Sequence, residues 1–167
     1  MSPRNRGMTW TCRQLVQAKN LALTDSLAKV VPGYPNQNLA TKVTIHHLLT
    51  HTGGTGDIFG PEFDKHRLDL RTLADYVKLY GTRDLAFEPG AKMEYSNYGF
   101  LLLGVVIEAV SKETYFDYVA KEDKATEPNR YMRDPKGGWQ PNTDTLPIRA
   151  TSAGGGSRFG EATTAAR

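Results

Sequence analysis

Glu94-Tyr95-Ser96-Asn97-Tyr98-Gly99-Phe100, followed by the run Leu101 to Val110, is the stretch whose reading decides the fold. From Leu101 to Val110 nearly every side chain is apolar, which predicts a helix buried on all sides. Just upstream, Phe87-Glu88-Pro89-Gly90 predicts a turn, because proline presets φ and glycine accepts a positive φ. Tyr95 and Asn97 therefore lie on a loop entering a rigid helix, with polar tips placed to face a cleft. Such a pair suits proton transfer and the holding of a substrate amide or ester. It equally suits plain helix capping, with Asn97 as the N-cap.

Working outward, the pattern is helical almost throughout. Thr9 to Ala22 predicts one helix, although Thr9, Trp10 and Thr11 start it weakly. Thr44 is the expected N-cap of a short helix that turns Ile45, Leu48 and Leu49 inward and stops at Gly53-Gly54. Thr72 to Tyr80 carries Leu73, Tyr76, Val77 and Tyr80 at helical spacing, with Gly81 as its stop. Thr114 to Lys121 opens on Thr114 with Asp117 three residues on, a capping pair that also favours the helix dipole. Past Glu122 the periodicity vanishes, and Trp139 to Ile148, with Pro141 and Pro147, reads as extended loop. Ser157 to Arg167 is small, polar and tail-like. The expected organisation is a helical part over residues 1–122 and a loop-rich segment over 123–167.

These features belong to a larger resemblance. Tyr95-Ser96-Asn97 resembles the Tyr-x-Asn motif of the serine β-lactamase-like hydrolases, a group of β-lactamases, penicillin-binding-protein relatives and β-lactamase-like esterases. Leu48-Leu49-Thr50-His51-Thr52-Gly53-Gly54 is similar to the family's Leu-Leu-Thr-His-Thr-Ser-Gly segment. Phe87-Glu88-Pro89-Gly90 resembles its Phe-x-Pro-Gly turn, and Asp25 to Pro35 its linker after the nucleophile helix. The likeness covers Gln14 to Val119, with a further piece from Gly137 to Gly156. It implies the helical lobe of an α+β fold, mainly α here, with little or no remaining sheet. A chain with one lobe would carry half of a cleft.

The resemblance also implies a chemistry: a serine attacks a carbonyl, a lysine one helical turn on helps remove its proton, and the tyrosine shuttles that proton. Counted back from Gln14-Leu15-Val16, the serine position falls on Ser2 and the lysine position on Asn5, whose amide has no titratable proton. The chain begins where the family would still have strands, and it stops before the strand that carries the third motif and completes the oxyanion hole. The site residues so implied are Tyr95, Asn97 and Ser2. The expected function is a degenerate serine hydrolase of small ester, amide or β-lactam-like substrates. The alternative is an inactive fragment or binding module. Ser96, beside Tyr95, and Ser152, in a glycine-rich turn, are lesser nucleophile candidates. Ser26-Leu27-Ala28-Lys29 is a literal Ser-x-x-Lys, but its flanks match the linker, so a short amphipathic turn with a solvated lysine is expected.

Other classes are disfavoured by composition. The net charge of +3 is modest, and the basic residues Arg4, Arg6, Arg13 and Lys19 lack the interleaved aromatics of a nucleic-acid binder apart from Trp10. No run reaches the ~18 apolar residues of a membrane span, and no start resembles a signal peptide, so a cytoplasmic location is the default. Cys12 is the one cysteine, which precludes an internal disulfide. His47 and His51, an i, i+4 pair, have the spacing to clamp zinc, but no third ligand or intervening glutamate accompanies them. Gly53-Gly54-Thr55-Gly56 lacks the Lys-Ser of a phosphate loop. Neither metal nor cofactor is expected.

Overall fold

The computed structural model describes residues 3–115, 117–118, 131–133 and 139–141. Over these the order is α1 (Pro3–Gln17), α2 (Leu27–Val30), α3 (Gln37–Lys42), α4 (Ile45–Leu49), α5 (Pro61–His66), α6 (Leu73–Tyr80), α7 (Asn97–Ser111), β1 (Tyr131–Arg133) and β2 (Trp139–Pro141). The described part is thus mainly helical, with one small sheet. The strands pair antiparallel, with Met132 opposite Gln140.

Helix α7 is the expected central helix. Leu101, Leu102, Leu103, Val106 and Ile107 are all fully buried. Burying each such side chain contributes roughly 1.5–3 kcal/mol relative to leaving it in water. Around it pack α1, α2, α4 and α6. The core continues through Leu27, Ile45 and Leu48 to a group of buried tyrosines, Tyr34, Tyr76, Tyr80 and Tyr98. The Tyr34 and Tyr98 hydroxyls pair at 2.9 Å, which satisfies both inside the core.

Several boundaries differ from the sequence reading. Helix α1 starts at Pro3, six residues before Thr9, and ends at Gln17 rather than Ala22. Proline suits a first turn, which explains the early start. The end is a Schellman turn: Asn20 N–H bonds the Leu15 carbonyl, Lys19 N–H bonds that of Val16, and Lys19 takes a left-handed φ of 60°. Helix α4 stops before Gly53-Gly54 by the same device. Thr52 N–H bonds the His47 carbonyl, His51 N–H bonds that of Leu48, and His51 takes φ 56°. Gly81 does follow α6, but in right-handed geometry at φ −69°.

Two short helices were not anticipated. Helix α3 is capped by Asn36, whose Oδ1 accepts from Leu39 N–H. Helix α5 buries no residue, so no apolar period announces it. The Ser26 segment is α2, with the Ser26 hydroxyl accepting from Lys29 N–H as an N-cap and Lys29 paired to Asp25. Residues 115, 117 and 118 are helical, and Thr114 Oγ1 caps Asp117 N–H at 3.1 Å, as its spacing predicted. The rest of the expected Thr114 to Lys121 helix, most of Trp139 to Ile148, Ser152, Gly154 to Gly156 and the segment expected as a tail, Ser157 to Arg167, lie outside the described residues. The part of the extended loop that is described, Trp139–Pro141, is β2.

Candidate functional site

The site is assembled by two segments lying side by side. Residues 50–58 follow α4, and residues 86–97 lead into α7. Backbone bonds stitch them together: Ala86 N–H to the Gly54 carbonyl, Gly90 N–H to that of Thr52, and Glu94 N–H to that of His51, each at 2.8 Å. Gly54 permits this approach. It has φ +66°, and a Cβ there would lie 2.2 Å from the Phe87 carbonyl oxygen.

The entry to α7 lacks backbone partners for its first N–H groups, as every helix start does. Here side chains supply them. Ser96, not Asn97, is the N-cap: its Oγ accepts from Gly99 N–H at 2.8 Å. The same hydroxyl donates to the Gly56 carbonyl and meets the Thr55 hydroxyl at 2.9 Å. Ser96 is only 6% exposed. Its oxygen is committed to structure, which removes it from the list of nucleophile candidates. Asn97 sits one residue inside the helix because a serine hydroxyl reaches the N3 amide from the residue before it.

Asn97 is buried, and its tip is not free as the sequence reading expected. Its backbone N–H donates to Asp57 Oδ1 and its Nδ2 to Asp57 Oδ2, both at 3.1 Å. Its Oδ1 accepts from the Tyr95 hydroxyl at 3.3 Å. Tyr95 is 50% exposed and Met93 72%, so both side chains stand at the surface. Lys92 and Glu94 pair at 2.7 Å alongside.

His51 supports the tyrosine from beneath. The left-handed turn that ends α4 carries its ring to the α7 entrance. The ring lies 4.5 Å from Tyr95 and stacks at 4.8 Å on Phe100. Its Nδ1 accepts from Ser96 N–H at 3.2 Å, which places the ring proton on Nε2. Burial pushes His51 below the ordinary imidazole value, against a backbone hydrogen bond with Ser96 that works the other way. His47 turns its Nδ1 to its own N-cap, accepting from Thr44 N–H at 3.3 Å. Both rings are thus tied to the backbone, and the two do not form an i, i+4 clamp on one helix face. Among the described residues no group of three or more His, Cys, Asp or Glu side chains is placed to hold a metal ion. Nor is any helix there long and apolar enough to cross a membrane.

Of the sequence-derived site residues, the structure brings Tyr95 and Asn97 together. Ser2 lies outside the described residues. Sequence reasoning missed Asp57, 40 positions from Asn97. Its signal was an acidic residue closing a glycine-rich loop, which by itself means only a turn.

The profile of the family described as Beta-lactamase matches residues 9–145. Among curated relatives, Penicillin-binding protein 4* of Bacillus subtilis is 36% identical over 104 residues, which is 59% of this chain and 22% of that protein. Protein flp of Staphylococcus aureus (strain COL) is 33% identical over 110 residues, 64% of this chain and 22% of that protein. The chain therefore spans about a fifth of the length of these relatives. Among solved structures, a penicillin-binding protein from Bacillus halodurans superposes with a TM-score of 0.64 at 30% identity, covering 89% of this chain and 52% of that one.

Proposed function

We propose, from the premise that the chain belongs to the Beta-lactamase family, that residues 1–122 are the helical lobe of a serine hydrolase acting on small ester or amide bonds. Residues 123–167 are the loop-rich C-terminal segment in this reading. The observation that carries it is the half-exposed Tyr95 phenol, held 3.3 Å from Asn97 beside the start of the buried helix.

In this reading Ser2 is the nucleophile, by its position in the family pattern. Its Oγ attacks the substrate carbonyl. The Tyr95 oxygen accepts the serine proton as its own proton passes to the departing alcohol or amine. Water then releases the acyl group by the reverse relay. Asn97 keeps the phenol oxygen in one place between turnovers. With Asn5 where the family has a lysine, no ammonium assists the serine, so activated esters and strained β-lactam-like amides are better substrates than ordinary amides.

Asn5 also favours a second reading, an inactive binding module of the same family. One variant separates the two. If the chain is an enzyme, Tyr95→Phe lowers kcat on a chromogenic ester or β-lactam by about 10²–10⁴-fold with the melt unchanged. Unchanged rates would end the hydrolase reading of this site. Ser2→Ala, run in parallel, tests the nucleophile. Asn5 supplies no base, so on the binding-module reading only a small change in background cleavage is expected. A loss of about a hundredfold or more would show that another group, with Tyr95 the first choice, activates Ser2.

A further inference from the structure

We infer that Asp57 is the positioning residue of this site, its carboxylate setting which end of the Asn97 carboxamide faces Tyr95. The inference deepens the reading of Tyr95 and Asn97 given above and takes its functional meaning from it. Its geometric content stands separately.

The Asp57 carboxylate meets three donors. Oδ1 accepts from Ile58 N–H at 2.8 Å and from Asn97 N–H at 3.1 Å, and Oδ2 accepts from Asn97 Nδ2 at 3.1 Å. An ionised carboxylate has no proton to give. The Asn97 carboxamide must therefore turn its nitrogen towards Asp57, and its oxygen is forced to the opposite side. There it receives the Tyr95 hydroxyl. The chain runs one way, from phenol to carboxamide to carboxylate. With the phenol proton directed at Asn97, the lone pairs of the Tyr95 oxygen are left for the exposed side. That is the resting orientation: the exposed oxygen can take up the serine proton only as the phenol proton leaves Asn97 for the departing alcohol or amine.

Asp57 is itself anchored. Its backbone carbonyl accepts from Arg83 Nη1 at 2.8 Å, and the Arg83 guanidinium lies 4.1 Å over the Tyr80 ring at the end of α6. The carboxylate thus reaches Asn97 from a fixed backbone rather than from a loose loop tip.

Asp57→Asn is the discriminating change. It preserves shape and retains Oδ1 for both backbone N–H groups. It also sets an NH₂ against the Asn97 NH₂. The Asn97 carboxamide must then turn over and present a donor to Tyr95. The reciprocal swap, Asp57→Asn with Asn97→Asp, restores a donor facing an acceptor at the first contact. It also returns an acceptor oxygen to Tyr95.

The test compares the full chain, both single variants and the swap by thermal melt and by NMR of tyrosine labelled with ¹³C at Cζ. Tyr95→Phe assigns the Tyr95 signal. Asp57→Asn is expected to lower Tm by about 5 °C or more and to move the Tyr95 signal. The swap is expected to recover both. A Tyr95 signal unmoved by Asp57→Asn, or a swap no better than the two single changes combined, overturns the inference. On a chromogenic ester, Asp57→Asn should lower kcat about tenfold or more with KM within about twofold, and the swap should recover it. An unchanged kcat also overturns it. If the unaltered chain turns over no substrate, the hydrolase reading fails, while the melt and the Tyr95 signal still decide Asp57.

Discussion

Replacing Ser96 by alanine removes one oxygen that serves three partners, and the cost follows from their burial. The Gly99 N–H loses its N-cap acceptor at 2.8 Å, a loss worth about 1 kcal/mol at a typical helix start. The Gly56 carbonyl loses its donor, and the Thr55 hydroxyl loses a neighbour at 2.9 Å. Thr55 is itself buried. A buried polar group left without a partner costs about 1–3 kcal/mol. Thr55 is close enough to turn its hydroxyl towards the freed carbonyl and recover part of this. The net expectation for Ser96→Ala is a destabilisation of about 2–4 kcal/mol. For a chain of this size that is a fall in Tm of roughly 4–15 °C. Guanidinium unfolding followed by far-ultraviolet circular dichroism checks it, with the midpoint falling and the slope unchanged. Any hydrolytic rate measured well below the melt should be retained, since the Ser96 oxygen has no capacity left for a substrate. A shift under about 1 °C would refute the three-partner account of this hydroxyl. Lost hydrolysis with an intact melt would refute its purely structural assignment.

Gly54→Ala is expected to cost more than about 3 kcal/mol, because its Cβ would meet the Phe87 carbonyl oxygen at 2.2 Å on a backbone already at φ +66°. Gly56→Ala, at φ +69° with open space around it, should cost only the left-handed penalty of about 1–2 kcal/mol, and paired denaturation curves compare the two. Cys12 is fully buried, and burial pushes its thiol up to about 12. It should therefore ignore a thiol-reactive dye in the native chain and react fully in denaturant; rapid native labelling would contradict the packing of α1. Burial holds His47 and His51 below the ordinary imidazole value. The unfolded chain therefore binds more protons as pH falls, so their contribution is complete above the unfolded imidazole pKa near 6.5 and is lost as pH drops through the lower folded values. Melts from pH 8 to pH 5 should show Tm falling on the acid side, and less steeply in His51→Asn; a Tm that rises as the pH drops would refute this.

How much was legible in the sequence varied with the range of the interaction that carries each element. The buried run of α7 declared itself, because a stretch from Leu101 to Val110 broken only by Glu108 has no stable place in water. The caps at Thr44 and Thr114 were equally readable, since a hydroxyl reaches only three residues ahead; that of Thr72 was not read. Tyr95 and Asn97 were visible as a motif by resemblance. The short helices α3 and α5 were not, because neither presents enough apolar surface to set a period. Nor was the true stop of α4. A histidine in left-handed geometry has no local mark, and His51 holds that geometry while its ring is seated between Tyr95 and Phe100.

The sequence alone therefore determined helical character and a central apolar helix, since periodicity and apolar content are carried by neighbouring residues, and by resemblance the lobe and the pair of side chains at that helix's mouth. Only the tertiary structure decided that Ser96 rather than Asn97 caps α7, that His51 bears on Tyr95, and that Asp57 grips Asn97 across 40 positions. The physical reason is one of competition. Ser96, Asn97 and Asp57 could each satisfy a helix start or a turn by itself. Which partner each one takes is settled only when the segments 50–58 and 86–97 are laid side by side and water is excluded from between them.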